Sequence, residues 1–276
     1  MELNLQSKKT LANGVEMPRL GLGVYKMTEP SESVEAMTAA LKAGYLAIDT
    51  ASLYGNEVQV GEAVRASGVK REDIFITSKV WNTDQGYDET LRAFEKSLEN
   101  LKMDYLDLYL THWPVEGKFT DTYRAIERLY EEKLIRVPGV SNHHRHHLEA
   151  VFAKANVKPM VNQIELHPYL SQEPLREFCQ EENIAVTAWS PLARGKLMEE
   201  PVVMRIAEAH GKAPAQVIVR WHLQHDIIVI PKSVRPERVR SNADVFDFTL
   251  SDEEMQQLDA LNRNERTGKD PDNMDF

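Results

Sequence analysis

Short apolar runs alternate with amphipathic stretches along almost the whole chain. Eight runs read as strands: RLGLGVYK, YLAIDTA, IFITSKVW, YLDLYLTHW, IRVPGVSN, MVNQIELHP, AVTAWSPL and IIVIPKS. Between them, SVEAMTAALKAG, TLRAFEKSLENL, TYRAIERLYEEK, EPLREFCQEEN and PAQVIVRWHLQH carry apolar residues at three- and four-residue steps, the period of a helix with one buried face. Gly44 after the first of these, and Pro174 and Pro214 near later starts, are ordinary stop and start signals. Strand followed by helix, repeated without a Gly/Ser linker or a shift in composition, predicts an α/β fold: one closed (β/α)8 TIM barrel, a single domain over residues 1–276.

An open doubly wound sheet is the runner-up, but its dinucleotide signature is missing. Gly21-Leu22-Gly23 precedes VYK instead of opening a helix, so it reads as a glycine pair in a strand or at the barrel bottom. Ahead of the first strand, TLANGVEMP has Asn13-Gly14 between alternating segments, a tight hairpin turn expected to cap the barrel bottom. At the other end SDEEMQQLDALN carries a Ser251 cap with Glu254 three residues on, which predicts an accessory C-terminal helix before an acidic, loose tail.

Composition narrows the function. The length of 276 residues suits a barrel of this type, for which about 250 is typical. A formal charge of −10 argues against a general nucleic-acid binder, because phosphate neutralisation needs a basic face, yet leaves room for one small anionic cofactor. The single cysteine, Cys179, has no disulfide partner and sits in a helical pattern as a core residue. With no export signal in MELNLQSKK and no apolar run able to span a bilayer, a soluble, cytoplasmic protein is expected.

Four polar residues stand where apolar runs end. Asp49 closes AIDT, Tyr54 follows in the next loop, Lys79 closes FITSK, and His112 follows YLDLYLT. In a parallel barrel reacting groups gather at the C-terminal strand ends, and this set can protonate a carbonyl oxygen as its carbon receives a hydride. Tyr54 would give the proton. A phenol is a sluggish acid with a pKa near about 10, so Lys79 beside it is expected to lower that value, while Asp49 keeps Lys79 protonated. His112 would donate a hydrogen bond to the substrate oxygen. A barrel aldolase, with Lys79 as Schiff-base nucleophile, is the competing chemistry, which needs an unprotonated amine. The run HHRHH (His143, His144, His146, His147) and His167 invite a metal, but no carboxylate or thiolate stands nearby in a ligand pattern, so no metal is expected. His143, directly after Asn142, would face the active site instead.

Taken in order, NGVEMPRLGLGVYK, IDTASLYGNE, FITSKVWN, DLYLTHWP, GVSNHH, NQIELHP, AWSPLARG and IPKSVRPERV closely resemble the aldo-keto reductases. The likeness is greatest to small prokaryotic members that reduce 2,5-diketogluconate, methylglyoxal and related carbonyls. The resemblance covers almost the whole chain and lays the family's catalytic tetrad on Asp49, Tyr54, Lys79 and His112. It implies NADPH, bound extended across the barrel mouth. Ser141, Asn142 and Gln163 match the residues that hold the nicotinamide carboxamide, and Trp189 the ring on which the nicotinamide stacks. Lys232, Ser233 and Arg238 match the 2'-phosphate pocket, where two cations and a hydroxyl suit a phosphate dianion. Ser190, Leu192, Val234 and Asn242 complete the implied cofactor set. Tyr25, Trp81, Trp113 and His143 match substrate-facing positions around His112, with Trp81 and Trp113 equally able to pack as core.

Three departures stand out. Leu46 replaces a usual arginine, Ser241 a glutamate often near the adenine, and Pro138 an apolar strand residue, marking a bulge or a late strand start. They bear on cofactor affinity and local stability more than on reaction type. The tail after Asn262 is short, so weak selectivity from it is expected. The implied partner is a small carbonyl compound, with no nucleic acid or membrane and the chain acting as a monomer. A nucleotide-sensing barrel with little turnover is the alternative that the fold alone leaves open.

Overall fold

The computed structural model describes residues 3–274. Two short strands, β1 (Lys8–Thr10) and β2 (Glu16–Pro18), form the expected antiparallel hairpin around Asn13-Gly14. The barrel follows as β3 (Leu22–Gly23), α1 (Pro30–Lys42), β4 (Ala47–Asp49), α2 (Glu57–Ser67), β5 (Phe75–Val80), α3 (Tyr87–Leu101), β6 (Leu106–Thr111) and α4 (Phe119–Glu131). It continues through β7 (Ile135–Ser141), α5 (Arg145–Phe152), β8 (Val161–Glu165), α6 (Glu173–Glu181), β9 (Ala185–Trp189), α7 (Pro201–His210), α8 (Pro214–Gln224) and β10 (Ile228–Val229). Helices α9 (Pro236–Ala243) and α10 (Asp252–Asp259) complete the order. Strands β3 to β10 pair in parallel and in chain order, and single parallel bridges, Leu20 to Val229 and Gly23 to Lys232, join the first to the last. The eight strands thus form a closed (β/α)8 barrel.

The glycine pair belongs to this seam. A Cβ on Gly23 would lie 2.8 Å from the Ile230 carbonyl oxygen, so only glycine lets the closing strands approach this closely. Helix α2 escaped the periodicity because its buried face is built mainly of small side chains and valines (Val60, Gly61, Ala63, Val64). In α5 the histidines hide the apolar stripe of Leu148 and Val151.

Pro138 makes no bulge and no late start. It sits inside β7 in unbroken register, opposite Tyr109 of β6, and its carbonyl faces the β8 side, accepting from Met160 N–H at 3.0 Å. The first β7–β8 pair is Gly139 with Val161, so the N–H that proline lacks falls below the start of that ladder. Leu46 lies just before β4, at the end away from Asp49, where its carbonyl accepts from Phe75 N–H at 2.7 Å; it is remote from the mouth.

Side chains alternate along a strand, so every second residue faces the barrel interior. At the lower end the inward residues are apolar: Ala47, Phe75, Leu108, Val137, Val161 and Ala185 pack with Leu11 and Met17 of the hairpin region, which plugs the bottom. Counting upward by twos reaches Asp49, Lys79, His112, Ser141, Gln163 and Trp189. The same face that seals the bottom therefore turns polar at the mouth.

Helix α10 starts as its sequence predicts: Ser251 Oγ accepts from Glu254 N–H at 3.2 Å, and Glu254 Oε2 from Ser251 N–H at 2.7 Å. The tail beyond it is not loose. It folds back over the mouth, with the Arg263 and Glu265 N–H groups on the Tyr169 carbonyl at 3.2 and 3.0 Å. Among the described residues no helix is long and apolar enough to cross a membrane. Cys179 is fully buried in the core, and burial pushes its thiol up to about 12.

Candidate active site

Asp49 ends β4, Lys79 is the penultimate residue of β5, and His112 follows the last residue of β6, so three adjacent strands deliver their upper inward side chains to one point. Tyr54 arrives from the short helical turn Ser52–Tyr54 that leaves β4. Lys79 is fully buried, and its Nζ donates to Asp49 Oδ1 at 2.5 Å, to the Thr50 carbonyl at 2.8 Å and to Tyr54 Oη at 3.5 Å. The other oxygen of Asp49 accepts from Gln163 Nε2 at 2.6 Å. An unbroken polar line thus runs from Gln163 through Asp49 and Lys79 to the phenol.

The electrostatics correct one expectation. Tyr54 does not have a lowered pKa: burial pushes it well above its ordinary value, and Asp49 and Tyr25 add to the shift. Asp49 offsets the Lys79 charge, so the ammonium cannot outweigh desolvation. Burial also lowers Lys79, against the opposing pull of Asp49. His112 is held well below its ordinary value, first by burial and then by Lys79, so its ring is neutral at physiological pH. Both candidate donors, phenol and imidazole, are uncharged there.

Aromatic rings wall this point. Tyr25, 48% exposed, packs 5.0 Å from Tyr54 between ring centroids; Trp81 meets His112 edge-on at 5.1 Å, and Trp113 meets Trp189 at 6.4 Å. His143 is not among them. It is fully buried with Phe119 and His147 as ring neighbours, and its Nδ1 lies 2.9 Å from the Ser141 carbonyl; burial drives its pKa to about 3. The chain turns at Asn142, which adopts φ +62°, and the next side chain packs away from the mouth, against helix residues Phe119 and His147.

The residues matched to the cofactor fall in two groups. Around Trp189, Asn142 Oδ1 accepts from the indole N–H at 2.8 Å while its Nδ2 donates to the His112 carbonyl at 2.9 Å, and Ser141 Oγ donates to the Gln163 carbonyl at 2.8 Å. Ser190 and Leu192 follow on the same strand exit, Ser190 with φ +50°. Farther along the rim, Lys232 and Arg238 are exposed with no carboxylate partner among the described residues, and Ser233 and Val234 lie between them ahead of α9. Ser233 Oγ accepts from Arg235 N–H at 3.1 Å, and Asn242 is buried in α9. Two unpaired cations beside a helix N-terminus suit a phosphate, so these residues fit the group the sequence implied.

Two features were not foreseen. Glu165, at the top of β8, ties down the tail: its Oε1 accepts from Thr267 N–H at 2.6 Å and Oγ1 at 2.5 Å, and its Oε2 from Gly268 N–H at 3.0 Å. Burial alone would raise its pKa, but the donors His167, Thr267 and Gly268 hold it below the usual carboxylate value. Gly268 lies against the Trp189 ring, where an added Cβ would overlap it. Secondly, carboxylates do stand beside the histidine run: Asp270 and Asp272 of the tail reach His144, His146 and His147. A buried acid in NQIELHP was the one available signal for the first; the second joins positions too far apart for any local pattern.

Residues 19–263 match the model of the aldo/keto reductase family. The chain is 54% identical over 276 residues to glyoxal reductase of Bacillus subtilis (strain 168), covering 100% of each chain. It is also 54% identical over 280 residues, again 100% of each, to the uncharacterized oxidoreductase YtbE of the same organism. A solved structure, a mutant of Gox0644 in complex with NADPH, superposes with a TM-score of 0.94 at 42% identity, over 98% of this chain and 99% of that one. A closed barrel with these side chains at its mouth, matched over its full length at this identity, belongs to the aldo/keto reductase family of oxidoreductases.

Proposed function

We propose that this chain reduces small carbonyl compounds at the expense of NADPH, with α-dicarbonyls such as glyoxal and methylglyoxal as the favoured class and Tyr54 as the proton donor. The observation that carries the reading is the hydrogen bonding of Lys79. Its Nζ lies 2.5 Å from the Asp49 carboxylate, and this pairing favours the ammonium over the free amine that Schiff-base attack needs. NADPH, when bound, supplies the hydride. Lys232, Ser233 and Arg238 would hold its 2'-phosphate, and Ser141, Asn142, Gln163 and Trp189 its nicotinamide end.

His112, neutral, donates a hydrogen bond to the carbonyl oxygen, and Tyr54 gives that oxygen its proton as the carbon is reduced. The raised pKa keeps the phenol protonated beforehand, and Lys79 offsets the negative charge left on its oxygen. Tyr25, Trp81 and Trp113 exclude water and restrict the space, while the tail pinned by Glu165 crowds the Trp189 side. A small, flat dicarbonyl suits such a site, in line with the glyoxal reductase relative. The test is NADPH oxidation with glyoxal, methylglyoxal and bulkier ketones, repeated with NADH and with the Lys232→Gly/Arg238→Ala pair. The expected result is highest kcat/KM for the dicarbonyls, with the double variant raising KM for NADPH at least tenfold and that for NADH far less. Binding of NADPH without turnover on any carbonyl would favour a nucleotide sensor instead.

A further inference from the structure

Away from the tetrad, the start of α5 and the C-terminal tail bring histidines and carboxylates together. His144 Nε2 lies 3.2 Å from Asp270 Oδ1 and 3.9 Å from Asp272 Oδ2, and His146 Nε2 lies 3.0 Å from Asp272 Oδ1. The donor atoms of His144, Asp270 and Asp272 all fall within 4.8 Å of one another. We propose that His144, Asp270 and Asp272, with solvent completing the shell, form a binding site for a divalent transition-metal ion of the zinc and nickel class.

The dimensions suit such an ion. Metal bonds of about 2.0–2.1 Å in a tetrahedron put neighbouring ligand atoms about 3.3 Å apart, and the separations here bracket that value. The chemistry suits it as well: one imidazole nitrogen and two carboxylates make a mixed N/O set of borderline softness whose two negative charges neutralise a dication. His147 plays a different part. Its Nδ1 accepts the His144 backbone N–H at 3.1 Å, so in the neutral ring the proton sits on Nε2, which faces Asp272 Oδ1 at 3.5 Å. It therefore orients a ligand carboxylate instead of joining the ion, as partners outside the ligand set commonly do. Arg266 does the same for Asp270, its Nε lying 3.2 Å from Oδ2.

Position gives the site a consequence. His144 follows Asn142 by two residues, and Asp270 follows the Gly268 that covers Trp189 by two. An ion held here clamps the tail onto the mouth through a linkage independent of Glu165.

Calorimetric titration of the full-length, tag-free, chelator-treated protein with zinc and with nickel tests the proposal. The expected result is saturable binding of one ion per chain. Affinity should fall roughly tenfold or more in Asp272→Asn and in His144→Ala, and remain unchanged in His210→Gln, whose histidine pairs with Glu254 elsewhere. Asp272 is exposed, so its variant keeps the fold. Zinc should also slow proteolytic clipping of the tail in the wild type and not in Asp272→Asn. No saturable binding of either ion, or binding equally strong in both ligand variants, would overturn the site.

Discussion

The two ends of the barrel each bury a carboxylate among hydrogen-bond donors and use it in opposite ways. At the lower end Asp107 of β6 is fully buried and saturated: Ile76 N–H donates to it at 2.9 Å, Arg136 at 2.7 Å and Arg71 at 2.8 Å. Every direction ends on another structural group. At the upper end Asp49 is held as tightly, by Lys79 and Gln163, but the line does not close; it passes through Lys79 to a phenol at the mouth. Open space does not distinguish the two ends, since a cleft of about 350 Å³ lies at the bottom between the hairpin and the foot of β5. What separates them is hydrogen-bonding capacity left for a ligand. Both oxygens of Asp107 are taken by structural donors; above, the Tyr54 hydroxyl, the neutral His112 and two rim cations without a carboxylate partner among the described residues retain capacity.

The sharpest way to break this contrast is to cut the upper line. Lys79→Met should lower kcat by about 10²–10⁴, the usual scale for losing support of a proton donor, measured on the folded fraction by steady-state NADPH oxidation. Turnover within threefold of wild type would show that the line has no outlet. Cutting the lower cluster should do the reverse. Asp107→Ala leaves Arg71 and Arg136 without their counter-charge; because both reach water, the cost should be about 2–3 kcal/mol, less than for a fully buried pair. Denaturant melts should record that loss while kcat per folded molecule stays unchanged. A fall in kcat with intact stability would erase the distinction between the two ends.

A smaller effect concerns pH. A raised Tyr54 pKa keeps the phenol, the proposed proton donor, protonated above the ordinary phenol value of about 10, and a lowered His112 pKa keeps the imidazole neutral below its ordinary 6.5. The profile of kcat/KM for reduction should therefore have no inflection from these groups between roughly pH 6 and 9. An inflection near the ordinary histidine value that disappears in His112→Gln would mean that the ring titrates normally.

The sequence made the upper end legible because strand ends, loop position and chemical type are local properties. Asp49, Tyr54, Lys79 and His112 each close or follow an apolar run, and the barrel geometry brings such positions together. Properties set by distant packing were not legible. The Tyr54 pKa depends on desolvation, which composition does not reveal, and its direction runs opposite to what the neighbouring Lys79 charge suggests. His143 follows Asn142 in the chain, yet beyond the left-handed backbone there it packs against the helices and away from the mouth. Glu165 meets Thr267 across 102 positions, and Asp107 meets Arg71 and Arg136 across neighbouring strands; neither pairing leaves a periodic trace. The donor that Pro138 lacks is visible in sequence, whereas the side of the strand it faces is not.

The central claim is that the buried line through Asp49 and Lys79 ends on the group that delivers the proton. Tyr54→Phe tests it most directly, because it removes one oxygen and leaves the ring, the ion pair and the rim cations in place. NADPH affinity, by fluorescence titration, and kcat on methylglyoxal should be measured on the same preparation. The account predicts a dissociation constant within about threefold of wild type together with a kcat lowered by about 10²–10⁴. Near-normal turnover in the folded variant, or a loss of turnover explained wholly by lost NADPH binding, would contradict it.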